Sequence, residues 1–188
     1  MIRDKDIREP LFDFLETEYG RIRIIEEKTM GRSRADVVMV TEDALFGIEI
    51  KSDADTYTRL SRQVKDYNKF FDFNYVVVGT THALHIEEHV PGSWGIITVE
   101  RDENDESALD FYILRRPERN TKRNMLQKIS LLWRPELAHI LAEAHLPKYS
   151  GKSKKYVTKV IVDKFSEDEL DRLISEELFE RDYTVFED

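Results

Sequence analysis

The chain of 188 residues contains no cysteine, which excludes disulfide bonds, a thiolate nucleophile and cysteine-ligated zinc or iron–sulfur centres. It has only seven glycines and no glycine-rich phosphate-binding motif, which disfavours nucleotide-binding folds. No apolar run approaches the ~20 residues that a membrane-spanning helix needs, and six of the first ten residues are charged, unlike a signal peptide. We therefore expect a cytoplasmic protein without a membrane partner.

Charge is plentiful and unevenly distributed. The formal net charge is -9, with charged residues at 36% and hydrophobic residues at 40% of the chain, as expected of a globular protein with one core. Residues 115–128 carry six basic side chains and one acid, residues 148–159 carry five lysines and no acid, and residues 166–188 carry ten acids. A nucleic-acid partner would therefore have to contact a local basic patch.

Hydrophobic periodicity predicts an α/β fold with a mixed sheet flanked by helices. The expected order over residues 1–117 is αβββαβαββ, with helices over 4–19, 53–71 and 83–89, and strands over 22–28, 36–40, 45–51, 75–78, 95–99 and 109–114. The first three strands should form an antiparallel meander. From residue 118 to residue 188 only helical patterns occur, over 121–132, 135–144, 153–165 and 167–180. We interpret residues 1–117 as the core and residues 118–188 as a helical extension.

Chemistry concentrates between residues 26 and 67. Glu49 and Lys51 lie two residues apart on one strand, so their side chains share a face of the sheet. A hairpin would bring Asp36, at the start of the preceding strand, beside them. Two converging carboxylates suit a hard divalent cation such as Mg²⁺ or Mn²⁺, and a neighbouring lysine can position a water or stabilise phosphate charge. The alternative is an exposed ion-pair cluster of little energetic value.

This stretch resembles the PD-(D/E)XK nuclease superfamily, in which an acid is followed, after a spacer, by an acid-x-lysine strand. Here the pattern is Asp36, twelve intervening residues, and Glu49-Ile50-Lys51. Ala35 stands where the nominal superfamily motif has proline. The resemblance is closer to small bacterial MmcB-like proteins, which share the triplet at 34–36, the run at 50–53 and the segment at 91–96. It implies a restriction-endonuclease-like αβββαβ core and metal-dependent hydrolysis of DNA.

The helix after Lys51 carries Gln63 and Tyr67, a glutamine-x-x-x-tyrosine spacing similar to that of the RecB-like exonuclease branch. The resemblance implies that Gln63 supports the catalytic site and that Tyr67 lies near DNA, although both could simply lie on the helix surface. The superfamily often has an additional metal-site acid. We expect it to be Glu27, with Glu26 second and Glu9, Glu16 and Glu18 as further candidates.

Several basic residues are candidates for nucleic-acid binding. Arg34, with Arg32 beside it, could contact phosphate or could simply be solvated in a turn. The loop and helix start near residue 150 mixes lysines with aromatic and small residues, which suits a phosphate backbone, and its candidates are Lys152, Lys154 and Lys155. The same lysines could instead balance the acidic helix that follows.

The sequence therefore predicts a Mg²⁺- or Mn²⁺-dependent deoxyribonuclease in which Asp36 and Glu49 bind the metal and Lys51 orients the attacking water. DNA is the expected partner, and a homodimer would suit cleavage of both strands. A non-catalytic DNA-binding or partner-binding module that keeps the nuclease fold is the alternative. The sequence does not separate DNA from RNA as the substrate.

Overall fold

The computed structural model describes residues 2–52, 55–79, 83, 85–102, 105 and 107–183. The helices described are α1 Asp4–Tyr19, α2 Leu60–Phe70, α3 Met125–Ile129, α4 Arg134–Glu143, α5 Lys154–Lys164 and α6 Glu167–Phe179. The strands are β1 Arg23–Met30, β2 Ser33–Val40, β3 Leu45–Lys51, β4 Phe73–Gly79, β5 Gly95–Arg101 and β6 Leu109–Arg115. Within this part of the chain, no helix is both long and apolar enough to cross a bilayer.

The six strands form one mixed sheet in the order β1-β2-β3-β4-β5-β6. The first three strands are antiparallel to one another, which confirms the predicted meander. Strands β3, β4 and β5 are parallel, and β6 returns antiparallel to β5. Helix α2 makes the crossover from β3 to β4, so the end of β3 and the beginning of α2 lie beside each other.

Both faces of the sheet are covered, which explains why β3 is buried along its whole length. Helix α1 packs on one face through Ile7, Leu11 and Leu15. Helix α2 and the C-terminal helices share an apolar core with the other face. The α/β class with a sheet between helices is therefore as predicted from the hydrophobic pattern.

Three helices are clearly shorter than their apolar patterns predicted. The helix predicted over 53–71 begins at Leu60, after a 3₁₀ turn at Tyr57–Arg59, and residues 53 and 54 lie outside the described part of the chain. The helix predicted over 121–132 is limited to α3, because the Asn120 amide donates to the carbonyl of Phe71 and holds the preceding segment against α2. Of the helix predicted over 83–89, residues 83, 85 and 86 are helical, residues 87–89 form a turn, and residue 84 is not described.

A buried ionic network joins the C-terminal helices to the sheet. The Lys128 ammonium is fully buried and lies 2.6 Å from Asp72 Oδ2 and 2.6 Å from Asp171 Oδ1. Arg123 pairs with both carboxylates, and Asp72 also accepts the backbone N–H of Leu45 at the start of β3. Because Asp72 precedes β4 and Asp171 belongs to α6, the network connects residues 1–117 with residues 118–188.

Candidate active site

The sheet register places three acidic residues side by side on β1, β2 and β3. The pairs Glu26↔Val37 and Lys28↔Ala35 bracket Glu27 and Asp36. One step beyond the last β2–β3 pair, Val37↔Ile48, Asp36 faces Glu49. Side-chain alternation directs these acids towards α2, the face that also carries Lys51. The predicted convergence of Asp36, Glu49 and Lys51 is therefore present.

Glu49 is almost fully buried and is held by hydrogen bonds from three side chains. Its Oε1 accepts from Lys51 Nζ at 2.7 Å and from the Gln63 amide. Its Oε2 accepts from the Tyr67 hydroxyl at 2.7 Å. A carboxylate offers about four acceptor positions, so these bonds leave one position on Oε2 for a further ligand.

Lys51 is also buried, and its ammonium bridges Glu49 and Gln63 Oε1, the latter at 3.2 Å. An ammonium has three N–H donors, and contacts with described residues use two of them. The third donor is available for a water molecule or a phosphate oxygen. Gln63 therefore positions both Glu49 and Lys51.

The Asp36 carboxylate has a raised pKa. Burial and the negative charge of Glu49 raise its pKa to about 7, against the opposing effects of the Ile50 N–H and Lys51. Its Oδ2 accepts the backbone N–H of Ile50 at 2.9 Å, and no described residue donates to its Oδ1. The carboxylate is therefore protonated in part near neutral pH, and a bound cation would compete with that proton.

These residues line a cleft with a volume of about 380 Å³. Residues that the sequence analysis did not assign also line it, namely Asp4, Arg8, Asp55, Arg59 and Arg62. Arg8, on α1, reaches the carbonyl of Asp36 at 3.3 Å and pairs with Glu26 at 2.9 Å. No local sequence motif predicts that Arg8 lines the cleft, because its contacts depend on how α1 packs against the sheet. Arg59 and Arg62 also have no motif, although their places before and within the first turn of α2 put them close to Lys51.

Glu27 lines the cleft as predicted, but two arginines hold its side chain. Arg8 donates to Oε1 at 2.6 Å, and Arg34 pairs with Oε2. The Glu27 backbone has a φ of 53°, a left-handed conformation that is uncommon for a residue other than glycine. These ion pairs make Glu27 an anchor for Arg8 and Arg34, and the positive charge of the two guanidinium groups would oppose the binding of a cation at Glu27.

The position of Tyr67 contradicts the prediction that this residue contacts nucleic acid. It is completely buried, and its hydroxyl lies between Glu49 Oε2 and the backbone of Asp36, so it cannot contact nucleic acid from this position. Burial and the nearby charges of Glu49 and Asp36 raise the pKa of the Tyr67 hydroxyl well above its usual range. Tyr67 therefore remains a protonated donor that orients Glu49.

Gly47 explains how Tyr67 comes so close to β3. A Cβ atom at Gly47 would lie 2.2 Å from the Phe71 ring and 2.6 Å from the Tyr67 ring, and neither ring can move away freely. Only glycine allows α2 to approach the strand at this distance.

The lysines near residue 150 do not line this cleft. Lys154 donates to the carbonyl of Ser130 at 2.8 Å, and Lys152 lies 5.4 Å from the centre of the Tyr156 ring. Lys155 and Lys154 border a separate, mostly apolar groove next to α3. Their predicted role in nucleic-acid binding is thus not supported by proximity to Asp36 and Glu49. It stays a prediction about a second surface.

The donor set can be compared with the needs of a metal ion. Among the described residues, no group of three or more histidine or acidic side chains is arranged to hold a metal. Mg²⁺ is, however, often bound by one or two carboxylates together with waters and substrate phosphates. Asp36 Oδ1 and Glu49 Oε2 are two carboxylate oxygens with open acceptor positions in one cleft. This pair fits Mg²⁺ or Mn²⁺ as a partial ligand set.

The fold and the cleft define an α/β protein whose six-stranded mixed sheet carries two buried acids and a lysine beside the first crossover helix. The chain belongs to the family described as bacteriophage P4 protein cII, whose model matches residues 2–185. No curated protein matches the chain. A solved structure, Pyrococcus furiosus SfsA in complex with Ca²⁺, is 16% identical, with a TM-score of 0.35. That match covers 57% of this chain and 59% of the other, less than two thirds of either.

Proposed function

We propose that the protein is a metal-dependent nuclease with a restriction-endonuclease-like core that hydrolyses phosphodiester bonds of DNA. The observation that carries this proposal is the convergence of Asp36, Glu49 and Lys51 in one cleft, with Gln63 and Tyr67 bonded to Glu49. Among the biological roles compatible with the nuclease resemblance, the family's description as a bacteriophage protein favours a phage-related one.

The residues divide the chemistry as follows. Asp36 and Glu49 would hold Mg²⁺ or Mn²⁺, which when bound lowers the pKa of a coordinated water and neutralises phosphate charge. Lys51 uses its remaining N–H donor to orient the water or a phosphate oxygen. Hydrolysis forms a bond from the water oxygen to phosphorus and breaks the bond from phosphorus to the leaving oxygen, which takes up a proton. Gln63 and Tyr67 hold Glu49 in place throughout.

Protonation of Asp36 links this activity to pH. Because its pKa is raised to about 7, metal binding must displace a proton below that pH. Metal affinity should therefore fall about tenfold for each pH unit below about 7, and a proton should be released on binding.

A recognition module without catalysis is the second candidate. Glu49 is already bonded to three side chains, and the described acids offer two carboxylates instead of three, which is an arrangement that a binding protein could also keep. Burial of two carboxylates near a phosphate would nevertheless weaken binding unless a cation offsets their charge. That cost favours the enzyme.

The experiment is to incubate the purified protein with linear duplex, circular and single-stranded DNA in Mg²⁺, in Mn²⁺ and in chelator. A Lys51→Ala variant tests the site, and Lys65→Ala, an exposed lysine on α2 outside the cleft, is the matched control. We expect cleavage that requires metal, disappears in Lys51→Ala and persists in Lys65→Ala. RNA of the same sequence tests the choice of polymer.

Binding without cleavage under all these conditions would overturn the enzyme and establish the recognition module. Cleavage that survives Lys51→Ala would show that the reaction takes place elsewhere in the protein.

A further inference from the structure

Four arginines surround the opening of the cleft, and the proposed hydrolysis does not use them. Arg32 comes from the β1–β2 turn, Arg34 from the beginning of β2, and Arg59 and Arg62 from the end of the 3₁₀ turn and the beginning of α2. We call these four residues the arginine rim. All four are exposed. Six basic and five acidic side chains line the cleft, so its charge balance is slightly positive in a chain with a net charge of -9.

Most N–H donors of the rim arginines have no acceptor within the described residues. Apart from the Arg34–Glu27 pair, no hydrogen bond or ion pair within the described residues involves the rim arginines. A guanidinium has five N–H donors that match phosphate oxygens in pairs. Arg32, Arg59 and Arg62 line the same cleft, so their guanidinium groups can bind one ligand together.

The two elements that carry the rim are fixed to each other. The Ser33 hydroxyl donates to Asp66, one helical turn after Arg62. Gly31, in the turn, lies against the Phe70 ring of α2. The backbone that carries the rim is therefore preorganised, and the entropy lost on binding comes from ordering the arginine side chains.

The size of the cleft limits what it can enclose. The cleft volume of about 380 Å³ lies at the lower end of the range for pockets that enclose a drug-sized molecule. A single nucleotide is of about that size. The neighbouring phosphates of the same strand would then lie at the opening, where the rim is. A duplex would have to be opened before one of its nucleotides could enter.

We propose that the arginine rim binds the phosphate backbone of a single-stranded nucleic acid, with one nucleotide in the cleft and the adjacent phosphates on the rim. This inference rests on the proposed function, because it places the strand over Asp36 and Glu49. Binding is governed by phosphate charge and has little dependence on base sequence.

Binding can be tested without cleavage. The anisotropy of a fluorescein-labelled oligothymidylate is measured with the full-length protein in chelator, across roughly 50 to 200 mM salt. Four phosphate contacts to a single strand predict a slope of about -3 in a plot of log affinity against log salt, which is about a fifty-fold loss over that range. Each single substitution, Arg32→Gln, Arg34→Gln, Arg59→Gln or Arg62→Gln, should reduce the slope by about 0.7. The quadruple variant should bind weakly and with almost no salt dependence.

Two controls keep the test specific. Arg21→Gln and Arg172→Gln remove arginines that line a different cavity, and they should leave affinity and slope unchanged. Lys152→Gln with Lys155→Gln tests the lysine surface predicted from the sequence. If the lysine variant loses binding and the quadruple arginine variant keeps it, the rim is not the binding surface. Equal or tighter binding of a duplex of the same length would overturn the single-strand assignment.

The failures of the two proposals are distinguishable. Rim-dependent binding without cleavage in Mg²⁺ or Mn²⁺ would refute the proposed nuclease activity and support the proposal that the rim binds phosphates. Metal-dependent cleavage with unchanged affinity and slope in the quadruple variant would refute the rim and leave the nuclease standing.

Discussion

Replacement of Asp36 by asparagine should make the protein more stable, and the gain should grow with pH. The folded protein raises the pKa of Asp36 to about 7, whereas an aspartate in an unfolded chain titrates near 3.9. Between these values the folded state binds more protons than the unfolded state. The wild-type free energy of unfolding therefore falls as the pH rises from about 4 to about 7, and the destabilisation is complete above about 7.

The magnitude follows from the width of this window. One pKa unit corresponds to about 1.4 kcal/mol, so the full displacement of about three units sets an upper limit on the order of 4 kcal/mol. Between pH 5 and pH 7 the advantage of Asp36→Asn over wild type should increase by about 3 kcal/mol at most. The asparagine oxygen can still accept the Ile50 N–H, which keeps the local backbone in place.

The assay is urea unfolding of wild type and variant at pH 5 and at pH 7, and the result is the difference between their free energies of unfolding at each pH. Groups remote from Asp36 contribute equally to both proteins, so the difference reports on Asp36 and its immediate neighbours. Asp13→Asn, an exposed position on α1, is the control and should show no pH-dependent difference. Saturating Mg²⁺ at pH 7 should reduce the variant's advantage, because a bound cation stabilises only the wild-type carboxylate. The reasoning is wrong if Asp36→Asn differs from wild type by the same amount at both pH values.

Three further predictions concern packing and buried charge. Gly47→Ala should destabilise the protein by about 3 kcal/mol, because the new Cβ would overlap the rings of Tyr67 and Phe71. Gly92→Ala, with open space around it, should be nearly neutral in thermal unfolding. Similar unfolding midpoints for the two variants would contradict this prediction. Lys128→Met removes a cation from two buried aspartates and should lower the free energy of unfolding by about 3 to 5 kcal/mol, measured in urea. The exposed Lys122→Met should change it by almost nothing. A loss under about 1 kcal/mol for Lys128→Met would refute the prediction. Burial lowers the pKa of Lys28 to about 8, with a smaller contribution from the charge of Arg181. Lys28→Met should therefore raise the free energy of unfolding at pH 7, and this gain should disappear as the pH rises from about 8 towards 10. A gain that does not depend on pH would refute the prediction.

Local patterns predicted the parts of the site that depend on local geometry. The bounds of α1 and β3 agree with the prediction, and alternation along β3 correctly placed Glu49 and Lys51 on one face. The four-residue spacing of Gln63 and Tyr67 correctly placed both side chains on one side of α2, where each reaches Glu49.

Other features depend on long-range packing and had no local signal. The burial of Tyr67 follows from the close approach of α2 at Gly47, and a helical spacing alone does not say how near the strand will lie. Arg8 reaches the cleft because α1 packs across the sheet. The ion pairs that hold Glu27 likewise join α1 to two strands, so the sequence showed an acid in the right place without its partners.

The network of Asp72, Lys128 and Asp171 has a consequence for how the chain folds and is degraded. A fragment ending at residue 117 would retain Asp72 without its cations and would expose the apolar face on which the C-terminal helices pack. Such a fragment would be a substrate for proteases, and local opening of α6 would weaken the strands as well. The chain should therefore melt in one calorimetric transition and behave as a single cooperative unit, so the helices cannot be exchanged as an independent module.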